Sequence, residues 1–151
     1  IMDDADRRIL RAIQQQPDLT MRELGEVTGL SHTPCWRRLQ RMREEGVIKS
    51  KAYLLDERAV GYEIVVFCFI RMKEHRRAKL LEFENAAARI PEVMQCYSLT
   101  GDYDYVLRVL ARNMQDYEQN MKESIVELPN VASINTSVTM KEIKNTTIVP
   151  V

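Results

Sequence analysis

The chain is poor in the residues that build chemical centres. Its three cysteines, Cys35, Cys68 and Cys96, are isolated, with no C-x-x-C pair, and its two histidines, His32 and His75, lie far apart. An odd, scattered set of cysteines gives no disulfide framework and fits a reducing compartment. A metal site needs about four ligands, or three and a water, and no such cluster is written here. No phosphate-binding glycine loop and no nucleophile–base pair can be traced either, so neither a catalytic nor a metal-binding residue is expected and no cofactor is implied. The longest apolar run, Ile64–Ile70, has seven residues, far short of the ~20 that cross a bilayer. No charged n-region followed by an apolar h-region opens the chain, so a cytoplasmic protein without membrane partners is expected.

Excess charge is also missing. Lys+Arg and Asp+Glu both number 22, so the net charge is zero, and the 45% hydrophobic and 29% charged content is that of a globular protein. The distribution is less even. Between Ser31 and Lys51 stand six basic residues (Arg37, Arg38, Arg41, Arg43, Lys49 and Lys51) against Glu44 and Glu45, whereas residues 53–151 carry 12 basic and 14 acidic ones. A positive field confined to the N-terminal third is suited to phosphates.

Local patterns divide the chain at that point. Asp3–Gln15 reads as a helix, with acids at its start and Ile9, Leu10 and Ile13 as an apolar stripe. Pro17-Asp18 breaks it. Thr20-Met21-Arg22-Glu23 is a capping box that starts a second helix at Met21, expected to bury Leu24 and Val27 and to end at Gly29. Gly25 suits a close approach of two helices. Ser31 is placed to cap a third helix, with Pro34 in its first turn and Gly46 as its stop. Two helices joined by a short glycine-bearing turn make a helix-turn-helix, and Val47–Leu55 reads as a strand or β-wing.

On a wheel, Cys35, Leu39 and Met42 of the third helix fall together as a buried stripe, so the thiol is expected to serve as a small core hydrophobe. The opposite face suits a DNA major groove. Arg37 is the candidate for base reading, while Thr33, Pro34 and Trp36 are placed for thymine methyls or sugars. Ser31, Arg38, Lys49 and Lys51 are candidates for contacts to the backbone phosphates, and Arg41 flanks the same face as a further DNA-binding candidate. His32 is either a phosphate or base contact or a solvated first-turn residue.

Beyond a linker around Asp56–Gly61 the pattern becomes strand, helix, strand, strand, helix, strand. The expected elements are Tyr62–Lys73, His75–Ile90, Val93–Thr100, Tyr105–Arg112, Met114–Leu128 and Val131–Ile143. This βαββαβ order is the ferredoxin-like layout, an antiparallel sheet with both helices on one face. The first strand is apolar on both sides (Ile64, Val66, Cys68, Ile70 and Val65, Phe67, Phe69), and Val106, Leu107, Val109 and Leu110 repeat this in the third. A face left bare by the helices should be polar. A partner chain is expected to cover it, so a homodimer is implied. The expected domains are 1–52, a linker at 53–61, and 62–151, in an α+β protein.

The residues Asp6-Arg7-Arg8-Ile9-Leu10, Gly29-Leu30-Ser31-His32-Thr33-Pro34-Cys35-Trp36-Arg37-Arg38-Leu39, Glu45-Gly46-Val47-Ile48 and Gly101-Asp102-Tyr103-Asp104-Tyr105 together resemble the Lrp/AsnC family of amino-acid-sensing transcriptional regulators. The resemblance covers essentially the whole chain. It implies an N-terminal winged helix-turn-helix, a connecting strand, and a C-terminal ferredoxin-like domain that dimerises and binds an effector. It also implies association of dimers, commonly into octamers, and residence on the nucleoid. Gly25 departs from the family, which more usually has alanine there. By residue type alone, Gly101–Asp104 is either an ordinary hairpin turn or a site for an amino group or cation. The resemblance implies that Gly101, Asp102, Tyr103 and Asp104, with Ser98, Thr100, Thr136 and Ser137, line a pocket for a free amino acid at a subunit interface. An architectural DNA-binding protein of this fold that ignores small molecules is the alternative.

Overall fold

The computed structural model describes residues 2–151. It contains two compact units, one made of the described residues up to Leu54 together with Ile143–Val151, the other of Leu55–Glu142. The last nine residues thus belong with the N-terminal unit, whereas the sequence pattern assigned them to the C-terminal one. Gln14 explains part of this. Its side chain donates to the Val149 carbonyl at 3.0 Å and accepts from the Val149 N–H at 2.6 Å, and Arg11 Nε donates to the Val151 carbonyl at 2.6 Å.

The N-terminal unit holds α1 (Asp4–Gln15), α2 (Met21–Thr28) and α3 (His32–Glu44). Two reciprocal capping boxes start the first two helices, Asp3 with Asp6 and Thr20 with Glu23. Gly29, at φ 74°, ends α2 in the left-handed region. The core is Ile9, Leu10, Leu24, Cys35, Leu39 and Met42, which puts the expected stripe of α3 inward. Val27 does not join it and is 61% exposed. The buried side of this short helix is centred between Leu24, Gly25 and Thr28, and Val27 lies about 100° away from that centre. Gly25 is required for a different reason than helix–helix contact: a Cβ there would sit 2.7 Å from the Leu30 carbonyl oxygen. The glycine makes room for the turn.

No strand forms over residues 47–55. The Val47 and Ile48 N–H groups both donate to the Met42 carbonyl, closing α3. Further on, Tyr53, Leu54 and Leu55 are 99%, 71% and 70% exposed. A strand exists only by pairing, and these residues find no ladder partner among the described residues.

The C-terminal unit comprises β1 (Ile64–Met72), α4 (Arg77–Ala88), β2 (Val93–Ser98), β3 (Tyr105–Ala111), α5 (Met114–Asp116), a π-helical turn (Tyr117–Met121), α6 (Lys122–Val126) and β4 (Val131–Val138). The sheet is antiparallel in the order β2-β3-β1-β4, as βαββαβ requires. Its inner face sets Val66, Cys68 and Ile70 of β1 and Leu107 and Val109 of β3 against Phe83, Ala87, Tyr117, Met121 and Ile125 of the helices. The helix expected over Met114–Leu128 is interrupted by the π turn yet keeps Tyr117, Met121, Ile125 and Leu128 buried. β4 stops at Val138, short of the expected Ile143, where Thr139 closes the pairing through two hydrogen bonds to the Val65 carbonyl.

The outer face is only partly covered. Val65, Phe67, Phe69 and Val106 remain partly exposed. Arg108, in the middle of this face, is held by Glu57, whose two carboxylate oxygens each lie 3.1 Å from Nη2. The segment after Leu55 therefore supplies a polar patch over an otherwise apolar surface.

Candidate DNA-binding face and ligand loop

The third helix sorts its side chains by what already holds them. Ser31 is at the N-cap with φ −73° and ψ 161°, but its hydroxyl makes no capping bond. His32, Thr33, Pro34, Trp36 and Arg37 are exposed, and Arg37 has no ion pair or hydrogen bond among the described residues. Lys49 is equally free, while Lys51 lies 3.1 Å from Asp18 in a solvent-exposed pair. Such a pair is weak.

Arg38 and Arg41 are different. Arg38 Nη1 donates to both Asp3 oxygens, at 2.7 and 2.6 Å, and to Asp6 Oδ1 at 3.1 Å. Arg41 Nη2 reaches Asp6 Oδ2 at 2.5 Å. Asp6 is only 1% exposed. Burial pushes its pKa up, but the hydrogen bonds from Arg41 and Arg38 outweigh burial and hold it below the usual carboxylate range. Asp3 is drawn down to about 2, chiefly by Arg38. The two arginines, both expected at the DNA, thus also join α3 to α1. Asp3 and Asp6 had no place in the functional reading of the sequence. A signal was present: Asp6, Ile9, Leu10 and Ile13 share i, i+3, i+4, i+7 spacing, so an acid occupies a position on the buried stripe. Cys35 is fully buried, and its thiol pKa is raised by burial, partly offset by Thr28. That is a core thiol.

In the second unit, Gly101 adopts φ 100° and lets the chain turn between β2 and β3. Asp104 is fixed: its carboxylate accepts the Met72 N–H at 2.7 Å and lies 3.0 Å from His75 Nε2, while its own N–H donates to the Ile70 carbonyl. The Met72 hydrogen bond leads the causes that keep its pKa low, against a smaller opposing effect of burial. Asp102 turns its carbonyl to Arg71 Nε at 2.9 Å, leaving its carboxylate exposed. The Tyr103 ring packs on Phe69 with Arg71 over its face, and its hydroxyl accepts from Asn135 at 2.9 Å.

The other expected pocket residues do not converge within one chain. Ser98 ends β2 and Thr100 follows it, whereas Thr136 and Ser137 are on β4, at the opposite edge of the sheet. Three strand spacings separate those edges, about 14 Å. Thr136 and Ser137 also point to opposite faces: Thr136 Oγ1 lies 3.2 Å from the Tyr117 hydroxyl on the helix side. Arg71, His75 and Asn135 hold the loop and were missed from the sequence. Only Arg71 had a signal to find, as the charge that ends the alternating apolar series Val65, Phe67, Phe69.

Among the described residues no group of three or more His, Cys, Asp or Glu could hold a metal, and no helix is long and apolar enough to cross a membrane.

Residues 2–49 match the winged helix-turn-helix DNA-binding family, and residues 65–149 match the Lrp/AsnC ligand binding domain. The chain belongs to the Lrp/AsnC family. Among its relatives is the glutamate uptake regulatory protein of Zymomonas mobilis, 38% identical over 99% of this chain and 90% of that one. The DNA-binding transcriptional activator DecR of Escherichia coli is 31% identical over 100% and 99%. An AsnC family transcriptional regulator from Agrobacterium tumefaciens superposes with a TM-score of 0.93 at 38% identity, covering 99% of this chain and 97% of that one. A Neisseria meningitidis transcriptional regulator solved as an L-Met complex gives 0.92 at 29% identity, with 99% and 97% coverage. This Lrp/AsnC protein is therefore a transcriptional regulator with a DNA-binding domain and a ligand-binding domain, and not an enzyme.

Proposed function

We propose that this regulator reads a two-fold-related DNA site through α3 and changes its DNA affinity or assembly when a free amino acid binds its second unit. The observation that carries the DNA half is the unpaired, exposed Arg37 on a helix whose Cys35 face is buried. Arg37 reads a base. Thr33, Pro34 and Trp36 supply apolar contacts. Ser31, His32, Lys49 and Lys51 meet phosphates, with Arg38 and Arg41 beside them.

For the effector, the Asp102 carboxylate is the acceptor for an ammonium group, because Asp104 is engaged inside the scaffold. Hydroxyls of Ser98 and Thr100 stand near the same loop. Thr136 and Ser137 join the pocket from another subunit, since their own strand lies at the far edge. The L-Met complex of the Neisseria meningitidis regulator supports an amino acid as ligand. The partly exposed outer sheet face, with Phe67 and Phe69, supports a homodimer, and membership of the family is what supports its further association, up to an octamer. The protein would act on the nucleoid in the cytoplasm.

The architectural alternative draws on the same geometry, because an Asp104 fully engaged in its own chain needs no ligand. Thermal-shift screening against the twenty amino acids decides between them, since a ligand that binds only the native state raises its melting temperature. One or a few amino acids should raise it and shift DNA affinity. No response to any of them would leave the architectural role.

A further inference from the structure

The Asp3–Asp6–Arg38–Arg41 cluster does more than join two helices. With Pro34 and Arg37 these four residues line an open cleft of about 380 Å³ beside the exposed face of α3. All three of the Arg38 hydrogen bonds use Nη1. Its Nε and Nη2 have no partner among the described residues, and the side chain is 31% exposed. A guanidinium is planar and rigid, so fixing one nitrogen aims the others. Arg41 is oriented in the same way by Asp6 and pairs on its outer side with Glu45 at 3.7 Å.

The two acids are placed differently. The Asp6 carboxylate is 1% exposed and holds both arginines, out of reach of any incoming anion, whereas the Asp3 side chain is 55% exposed at the rim. A DNA phosphate entering the cleft would meet Arg38 with Asp3 already on it.

We propose that the cleft is a seat for a DNA backbone phosphate, in which Asp6 is a positioning residue that aims Arg38 and Arg41, and Asp3 is a resident anion that the phosphate displaces. This deepens the reading of α3 as the DNA-facing helix and rests on it. The consequence is an opposite sign for two neighbouring acids. Removing a negative charge near DNA ordinarily tightens binding, and Asp3→Asn should do so by roughly two- to fivefold, the size of an exposed ion pair. Asparagine also keeps the N-cap of α1. Asp6→Asn should instead weaken binding, by roughly threefold or more, because the arginines lose the charged acceptor that orients them.

The test is fluorescence anisotropy of the full chain with a random-sequence duplex over a salt series, with circular dichroism and melting curves for each variant. Opposite signs for Asp3→Asn and Asp6→Asn in folded proteins support the seat; tightening by both makes Asp6 an ordinary local charge and overturns it. Should Asp6→Asn fail to fold, Arg38→Gln decides. Loss of about 0.9 in the slope of log affinity against log salt marks a lost phosphate contact, and Arg38→Lys should restore the slope. An unchanged slope with lowered stability reduces Arg38 to a structural ion pair and overturns the proposal. A chain that prefers one selected duplex over the random one, and keeps that preference in Arg37→Ala, would instead refute the wider reading of α3, an outcome distinct from the signs at Asp3 and Asp6.

Discussion

Helix α3 and the Gly101–Asp104 loop belong to different units, yet each divides its charged residues in the same way. On α3, Arg38 and Arg41 are tied to Asp3 and Asp6 while Arg37 is free. In the loop, Asp104 is tied to Met72 and His75 while the Asp102 carboxylate faces solvent. In each, residues of one type are spent on shape while a neighbour of the same type is left free for a partner. The units differ in how the holding is done. The first uses a buried acid and two arginines between helices; the second uses one carboxylate to cap a strand end.

The largest expected effect comes from removing the buried acid. Asp6→Ala takes one acceptor from each arginine, leaving Arg38 on the exposed Asp3 and Arg41 with only the longer Glu45 pair, and solvent at the partly exposed arginines tempers the loss. A destabilisation of about 2 kcal/mol is expected, read by denaturant unfolding. A loss below about 0.5 kcal/mol would mean that the network adds little to the fold.

Asp104→Ala comes next. It strands the partly buried Met72 N–H, at a cost of about 1–2 kcal/mol, and should lower the melting temperature of the second unit before any effector is added. If Asp104→Ala melts like wild type and loses only the amino-acid response, then Asp104 is the ligand contact and the division of duties in the loop is reversed.

Acid should separate the units' devices as well. Asp3, drawn to about 2, and Asp6, also lowered, bind protons less readily folded than unfolded. Their contribution is complete above their unfolded pKa of about 4 and disappears as pH falls through the folded values. Stability should therefore drop between about pH 5 and 2, and Arg38→Met should flatten that drop by removing the cause of the low Asp3 pKa. An unchanged pH profile in Arg38→Met would place the acid sensitivity in Asp104 and Asp116, which are lowered by other partners.

Much of this was legible in the residues. The three-helix pattern, the buried Cys35 stripe and the βαββαβ order follow from periodicity and caps, which are local. What periodicity hides is partnership. Nothing within β1 says that Arg71 will hold the loop carbonyl of Asp102, and nothing in Val47–Leu55 says that its strand propensity finds no partner among the described residues. Val27 misled because an eight-residue helix offers too few turns to fix the buried direction. The residues expected around the loop spread apart because a motif reads along the chain and not across it: β2, which carries Ser98, and β4, which carries Thr136 and Ser137, are opposite edges of one sheet. Asp6 was legible in principle, as an acid on an apolar stripe, which calls for a buried cation.

Arg37→Ala tests the free member on α3. With no partner to lose, it should leave the melting temperature unchanged within about 0.5 kcal/mol of stability. It should relax sequence preference at one position per half-site, by roughly 1–3 kcal/mol if the contact is bidentate to guanine. A uniform loss over all sequences would make it a phosphate contact like Lys49.

The smallest effect on the fold is expected at Asp102, and there the comparison is sharpest. Its backbone carbonyl, not its carboxylate, holds Arg71, so Asp102→Asn preserves every bond that shapes the loop. Melting temperature and ligand-free DNA affinity should both match wild type. An amino-acid ammonium, however, loses a charged acceptor, and charge-assisted hydrogen bonds are about twice as strong as neutral ones. Ligand-induced thermal stabilisation should fall, and with it the shift in DNA affinity, because two sites linked by one coupling free energy must respond together. An Asp102→Asn protein that keeps the full amino-acid response would remove this carboxylate from the site and leave the loop as a turn that shapes the sheet end. Loss of the response together with a lowered melting temperature would show that Asp102, like Asp104, is a residue that holds rather than one that binds.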